Sequence, residues 1–253
     1  MAFFKRFEGS GPRFATGFGL LAVVAGVGLI DNYFLTWLFF GIVYLFAFYE
    51  ATRLYGVDDN RLFTFAALIW LVAYFLPDPD ILFLAALIFA SVKAYHPVIE
   101  PKTFLPFLYP TASFLFLLAL YADYGMASLF WLLVVVALTD VGAWFVGKSI
   151  GRTPFSPTSP KKTLEGVVGG VLIATFAGFF AGSTLVDWPQ ALIVSLGVSV
   201  ASVFGDLYES YLKRRAGVKD SGDILPGHGG VLDRVDGYLF GGVVMVLLLR
   251  GLL

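Results

Sequence analysis

The sequence predicts an all-α, polytopic integral membrane protein of about nine transmembrane helices with a cytoplasmic N-terminus. Three observations predict it. The 253 residues are 58% hydrophobic and 14% charged, with 27 Phe and a mean hydropathy of +0.84, whereas a soluble domain carries roughly 25% charged residues. Apolar runs long enough to cross a bilayer recur along the whole chain. Lys and Arg gather in alternate loops, which fixes an orientation. The net charge of −1 decides little beside where the charges sit. Without Cys, neither disulfides nor thiolate metal sites are available.

Taken in order, Met1 to Arg13 is short, basic and aromatic, with Phe3, Phe4 and Phe7. It reads either as a segment lying on the inner membrane surface or as a disordered tail. No small-residue cleavage site precedes a polar region, so no cleaved leader is expected. The apolar runs then cover 14–30, 33–49, 62–76, 81–95, 104–121, 126–146, 167–185, 189–212 and 237–253. A spanning helix needs about 20 residues. The third and fourth runs are short, and tilted or re-entrant helices are the alternative there. Between them Pro77-Asp78-Pro79-Asp80 reads as a tight external turn, since proline disfavours helix on both sides. Gly19, Gly26 and Gly28 in the first run read as packing or lipid-facing residues.

With nine helices, the loops holding Lys5, Arg6 and Arg13, then Arg53 and Arg61, Lys93 and Lys102, Lys148 to Lys162, and Lys213 to Arg234 fall on one side. That side is the cytoplasm by the positive-inside rule. The opposite loops carry only Asp31, Asp78, Asp80, Asp123 and Asp187, with Arg250 at the C-terminal end. Residues 1–125 form the N-terminal helices and 126–253 the catalytic region of one integrated membrane domain. The expected location is the cell (inner) membrane, with the active site facing the cytoplasm.

The chemistry concentrates between Ser210 and Asp236. Lys213, Arg214, Arg215, Lys219 and Arg234 alternate with Asp220, Asp223, Asp233 and Asp236 around Pro226-Gly227-His228-Gly229-Gly230. Cations, carboxylates and a glycine-rich turn together are what a metal-bound polyphosphate needs. Backbone N–H groups and lysines take phosphate oxygens, and aspartates hold the divalent ion. A solvated loop between two membrane helices also collects charges. Two features weigh against that reading: the glycines flank a histidine, and Asp206, Glu209 and Lys213 continue the charges along one face of the preceding helix. His228 either contacts phosphate or caps the turn. His96, before Pro97, has no partner visible in the sequence.

A second stretch, Lys148 to Gly170, places Ser159-Pro160-Lys161-Lys162-Thr163 before Glu165 and the glycines 166, 169 and 170. Thr163 suits a helix N-terminus, where free N–H groups attract anions. A positive-inside anchor followed by small packing residues explains the same pattern. Asp140 ends the sixth run, and an ionised Asp at bilayer depth costs ~2.5–3.5 kcal/mol on insertion scales. One such acid near an interface is unremarkable. Asp140, Asp206, Glu209, Asp233 and Asp236 converging from helices six, eight and nine are better explained by a cation site. Hard oxygen ligands without His or Cys favour Mg²⁺ over zinc.

These residues also resemble a family. S-x-L-K-R, then K-D-x-G-x-x-L-P-G-H-G-G and D-R-x-D, is similar to the signature of phosphatidate cytidylyltransferases. Here it is carried by Ser210, Leu212, Lys213, Arg214, Lys219, Asp220, Gly222, Leu225 to Gly230, Asp233, Arg234 and Asp236. S-P-K-K-T-x-E-G-x-x-G-G resembles a second block of the same family. The blocks cover the last ~110 residues, and the first half matches only in hydropathy. The resemblance implies a reaction of CTP with phosphatidate to CDP-diacylglycerol and pyrophosphate, in phospholipid biosynthesis. It implies Asp206 and Asp233 as first metal ligands, with Asp140 and Asp236 beside them, and Mg²⁺ paired with K⁺. Asp206, Asp233, Lys213 and Arg234 become the expected catalytic residues. Lys161, Lys162, Ser210, Arg214, Lys219, His228, Gly229 and Gly230 become the expected substrate contacts. A homodimer in membrane lipid is implied, and no nucleic-acid partner. A CDP-alcohol phosphotransferase would carry D-G-x-x-A-R, and the run Asp236-Gly237-Tyr238-Leu239-Phe240-Gly241 lacks the Ala-Arg. A cation-coupled transporter would have no use for H-G-G-x-x-D-R.

Overall fold

Apolar sequence of this density leaves the backbone no water to bond with, so it must satisfy itself within helices. The computed structural model describes residues 11–227 and 229–253, with side chains from residue 17 onward. The basic aromatic start and His228 therefore lie outside the described residues. The elements are α1 (Gly11–Ile30), α2 (Tyr33–Tyr55), α3 (Arg61–Phe75), α4 (Ile81–Tyr95), α5 (Ala112–Ile150), β1 (Pro154–Ser156), β2 (Ser159–Thr163), α6 (Leu164–Gly182), α7 (Trp188–Arg215) and α8 (Leu232–Leu252).

Among the described residues, five helical stretches are long and apolar enough to cross a membrane: Tyr33–Leu54, Pro101–Ile150, α6, α7 and α8. Gly17–Ile30, α3 and α4 are shorter apolar helices. The second stretch is not one rod. Tyr109 has extended backbone (φ −145°, ψ 115°). Gly125 lies at φ 72°, ψ −175°, a conformation essentially confined to glycine. It divides α5 into residues 112–124 and 126–150, where the sequence predicts a break between two runs. Ser128 Oγ lies 2.7 Å from the carbonyl of Gly125 and 3.1 Å from that of Leu120, and so satisfies carbonyls that the break frees.

The expectation of helices alone misses the hairpin β1–β2, which pairs antiparallel between α5 and α6. The two prolines on its strands, Pro154 and Pro160, sit in a two-stranded ribbon where every strand is an edge. Helix limits also differ from the apolar runs. α2 continues past residue 49 to Tyr55 and takes in Glu50, ending at Gly56 in the left-handed conformation (φ 64°). α8 begins at Leu232, well before the apolar run does, so Asp233 and Asp236 stand on its first turns.

The C-terminal helices pack through small residues. Gly166, Gly170, Ala174, Gly178 and Gly182 recur every four positions along α6, and all are buried. A Cβ on Gly170 would stand 2.5 Å from the Thr139 carbonyl oxygen, and one on Gly182 would run into the Trp131 ring. Lipid tails solvate leucine as well as protein does, so close backbone approach and dispersion hold such helices together. Polar contacts fix the register: Trp131 Nε1 donates to Ser195 Oγ at 3.0 Å, and the Thr139 and Ser199 hydroxyls meet at 2.7 Å. In the N-terminal half, Trp37 and Trp70 each donate an indole N–H to the other's carbonyl, at 3.0 and 3.2 Å. Tyr44 OH meets Thr111 Oγ1 at 2.9 Å and ties α2 to the start of α5.

Charges separate to the two ends of this bundle. At one end Arg250 pairs with Asp123 at 2.9 Å and lies 3.9 Å from Asp78, and Tyr121 OH donates to Asp31. The other end of α8, roughly 30 Å away at 1.5 Å per residue, holds Asp233 and the signature loop.

Candidate active site

Three elements bring their charges together at that end. β2 presents Lys162, whose ammonium pairs with Asp206 Oδ2 on α7. Lys213, on the last turns of α7, reaches Glu209 Oε2 at 2.9 Å and Asp233 Oδ1 of α8 at 2.5 Å. Ser210 Oγ lies 3.3 Å from Asp206 Oδ1. Residues 206, 210 and 213 share one helix face, as their spacing predicts. Glu209 is 1% exposed, against 26% for Asp206, so the site grades from dry protein to an open rim.

Asp233 is held from several sides. Besides Lys213 on Oδ1, its Oδ2 accepts from Ser221 N (2.9 Å) and Gly230 N (2.8 Å), while Ser221 Oγ, whose one proton faces the nearer Glu50, lies 3.1 Å away. The Gly230 N–H is therefore committed to a carboxylate rather than presented bare to phosphate. The glycine-rich turn is expected to offer bare amides to phosphate; here the Gly230 amide hydrogen serves Asp233. Gly229, at φ 83°, turns the chain tightly over Asp233 and hydrogen-bonds back to Leu225.

The residue that sequence reasoning missed is Glu50. It lies in α2, far along the chain, yet it is 1% exposed and buried in the signature loop. Its Oε1 accepts from Val231 N at 2.9 Å, and its Oε2 accepts from Leu232 N and Ser221 Oγ, each at 2.8 Å. α8 has no side-chain cap of its own, because Val231 precedes it. Glu50 supplies one from another part of the chain. A carboxylate on the free N–H groups of a helix start is typically worth about 0.3–1 kcal/mol, up to about 2 in partly buried geometry. A Cβ on Gly230 would stand 2.5 Å from Glu50 Oε2, and one on Gly222 would run into Oε1. These glycines thus answer to Glu50. The one available signal was a lone acid inside the apolar run F-A-F-Y-E-A-T.

The remaining expected residues divide clearly. Arg214, Lys219, Asp220, Asp223 and Arg234 are exposed at the rim, and Arg214 bonds the Val218 carbonyl at 3.0 Å. Lys161 is exposed on the face of β2 opposite Lys162. Thr163 caps α6 as expected, accepting from Gly166 N at 3.2 Å. Glu165 on the same turn accepts from Arg152 N, Thr153 N and Thr153 Oγ1, which holds the hairpin's start.

Asp236 neighbours Asp206, Asp140 and Glu209, and Glu209 neighbours Asp236 and Asp233. Glu209 Oε1 is buried and finds no hydrogen-bond donor, while a second carboxylate stands beside it. Such a group of like charges fits a cation. Among the described residues no three acids converge tightly enough to cage a metal by themselves.

Fold and site together define an almost wholly helical protein, apolar enough to cross a membrane, with a charged cluster at one end of its bundle. The chain belongs to the cytidylyltransferase family, whose model matches residues 12–252. It is 46% identical over 241 residues to a phosphatidate cytidylyltransferase of Helicobacter pylori, covering 94% of this chain and 91% of that protein. It is 38% identical over 174 residues to that of Thermotoga maritima, 64% of each chain. Over 122 residues it is 48% identical to the Bacillus subtilis enzyme, covering 47% of this chain and 45% of that one.

Proposed function

We propose that this protein makes CDP-diacylglycerol and pyrophosphate from CTP and phosphatidate. The observation that carries the reading is the pair of bridged carboxylates, Lys162–Asp206 between β2 and α7 and Lys213–Asp233 between α7 and α8, with Lys162, Lys213 and Asp233 inside the two blocks that resemble the family. The lipid phosphate oxygen attacks the α-phosphorus of CTP in line, a P–O bond forms, and the bond to the β-phosphate oxygen breaks. The nucleophile is already an anion near neutral pH, so no side chain need abstract a proton, and a chain without Cys suffices. Positioning and charge neutralisation carry the rate.

Asp206 and Asp233 are the residues that would hold a divalent cation, with Asp140 and Asp236 behind them. Mg²⁺, when bound, supplies charge neutralisation to the triphosphate, and K⁺ is the second cation of the reading. Lys162 and Lys213 can exchange a carboxylate for a phosphate oxygen without moving their backbones. Arg214, Lys219, Arg234 and Lys161 line the approach for the triphosphate and the lipid head group. The finer topology belongs to the same proposal: nine spans with Gly125 dividing the fifth from the sixth, the N-terminus and site at the cytoplasmic face of the inner membrane, and a homodimer. α3 and α4, at 15 residues each, would cross only in locally thinned bilayer.

Purified protein given labelled CTP, phosphatidate and Mg²⁺ should form a CDP-lipid and equimolar pyrophosphate. Pyrophosphate without CDP-lipid would sink the assignment. A reporter after Leu253 should read external and one between Lys213 and Asp233 cytoplasmic; the same side for both would remove the nine-span count.

A further inference from the structure

We infer that Glu50 is a positioning residue for Asp233, a part of the site supplied by the N-terminal half of the chain. The kinetic half of the inference rests on the reading of Asp233 given above; the structural half does not. Glu50 and Asp233 flank a single hydroxyl. Ser221 Oγ is 2.8 Å from Glu50 Oε2 and 3.1 Å from Asp233 Oδ2. The amides on either side are shared out between the same two acids: Ser221 N and Gly230 N go to Asp233, Val231 N and Leu232 N to Glu50. Both ends of the loop are thereby pinned at one place, and its return fixes where α8 begins.

The charge at position 50 has a reason. Three donors meet two oxygens, and only an acceptor-only group satisfies them all; a glutamine would turn an NH₂ group toward one set. An acid buried at 1% exposure is costly for a helix that merely has to pack. Gly222 and Gly230 close on the carboxylate from two sides and leave no space for a side chain. The loop is built around Glu50, and Asp233 takes its orientation from the loop.

The test uses the full-length Glu50→Gln protein in detergent, without nucleotide. Hydrogen exchange of the amides in 221–232 should quicken roughly tenfold or more, while helices α5 to α7 keep wild-type protection. In assays with CTP and phosphatidate, KM for CTP should rise roughly tenfold while KM for phosphatidate stays near wild type. A general loss of folded protein would lower turnover alone and leave both KM values unchanged. Should Glu50→Gln not yield folded protein, Ser221→Ala removes one donor and keeps both amides on Glu50, and should show a smaller, equally local quickening. Wild-type exchange in the loop of either variant would overturn the inference, as would quickening spread over the whole chain. If wild-type protein itself makes no CDP-lipid, the assigned reaction falls and the exchange result stands.

Discussion

The ammonium of Lys213 touches the carboxylate of Asp233 across 2.5 Å, joining the last turns of α7 to the first turn of α8. The same nitrogen holds Glu209 at 2.9 Å, an acid that is 1% exposed. One cation thus answers two carboxylates on two helices.

Lys213→Met should therefore cost stability as well as activity, because it strands both acids. Breaking a buried pair from one side costs about 3–5 kcal/mol. Adding Glu209→Gln should recover part of that stability without restoring CDP-lipid synthesis. Thermal melts in detergent and turnover, measured on the same samples, separate the two effects. Full recovery of activity in the double variant would remove Lys213 from the phosphate site.

Lys161 and Lys162 are adjacent in sequence and unequal in place. Successive residues of a strand point to opposite faces, and only Lys162 reaches Asp206. Lys162→Gln should lower turnover by roughly a hundredfold, the scale of losing one preorganised charge contact. Lys161→Gln should stay within about fivefold, as expected of an exposed charge. Insertion should survive both, since Lys148 and Arg152 still orient the loop. Equal losses would show that the hairpin acts through its net charge alone.

The Asp→Asn series sorts the acids by depth. If Asp206 and Asp233 hold the proposed cation, Asp206→Asn and Asp233→Asn keep shape but lose a ligand charge, and each should cut Mg²⁺-dependent CDP-lipid formation by orders of magnitude. Asp220→Asn and Asp223→Asn lie in the exposed part of the loop and should retain most of it. Near-wild-type activity in either of the first pair would end its assignment as a metal ligand.

Much of this architecture was legible because hydropathy and charge act locally. The break near Gly125, the cap at Thr163, and the shared face of Asp206, Glu209 and Lys213 all follow from spacing and residue type. What stayed hidden depends on distance along the chain. Glu50 meets Val231 and Leu232 only after the bundle forms, and no periodicity links them. The hairpin β1–β2 is too short and proline-rich to show alternation. The glycines of the signature looked like a phosphate cradle because sequence cannot say which acceptor their closeness serves. Gly222 and Gly230 turn out to make room for a carboxylate of the protein itself.

Two glycines of this region allow a last test of that point, because they are glycine for different reasons. Gly217 lies at φ 73° with nothing near its missing Cβ, so its constraint is conformational. Alanine there should cost on the order of 1 kcal/mol and leave the reaction intact, since no contact of the site is touched. Gly230 needs no left-handed backbone; its constraint is space. A Cβ there would run into Ser221 Oγ and stand 2.5 Å from Glu50 Oε2. Neither neighbour is the free end of a flexible side chain, because both are held by hydrogen bonds to the loop. Gly230→Ala should therefore push the loop off Glu50 and displace the amide that Asp233 accepts. CDP-lipid formation should collapse in protein that still inserts and still melts cooperatively. If the loop is built around Glu50, Gly230→Ala should be far the more damaging to turnover, with Gly217→Ala near wild type. If Gly217→Ala proves the more damaging to turnover, the turn conformation governs the site and the close packing around Glu50 does not.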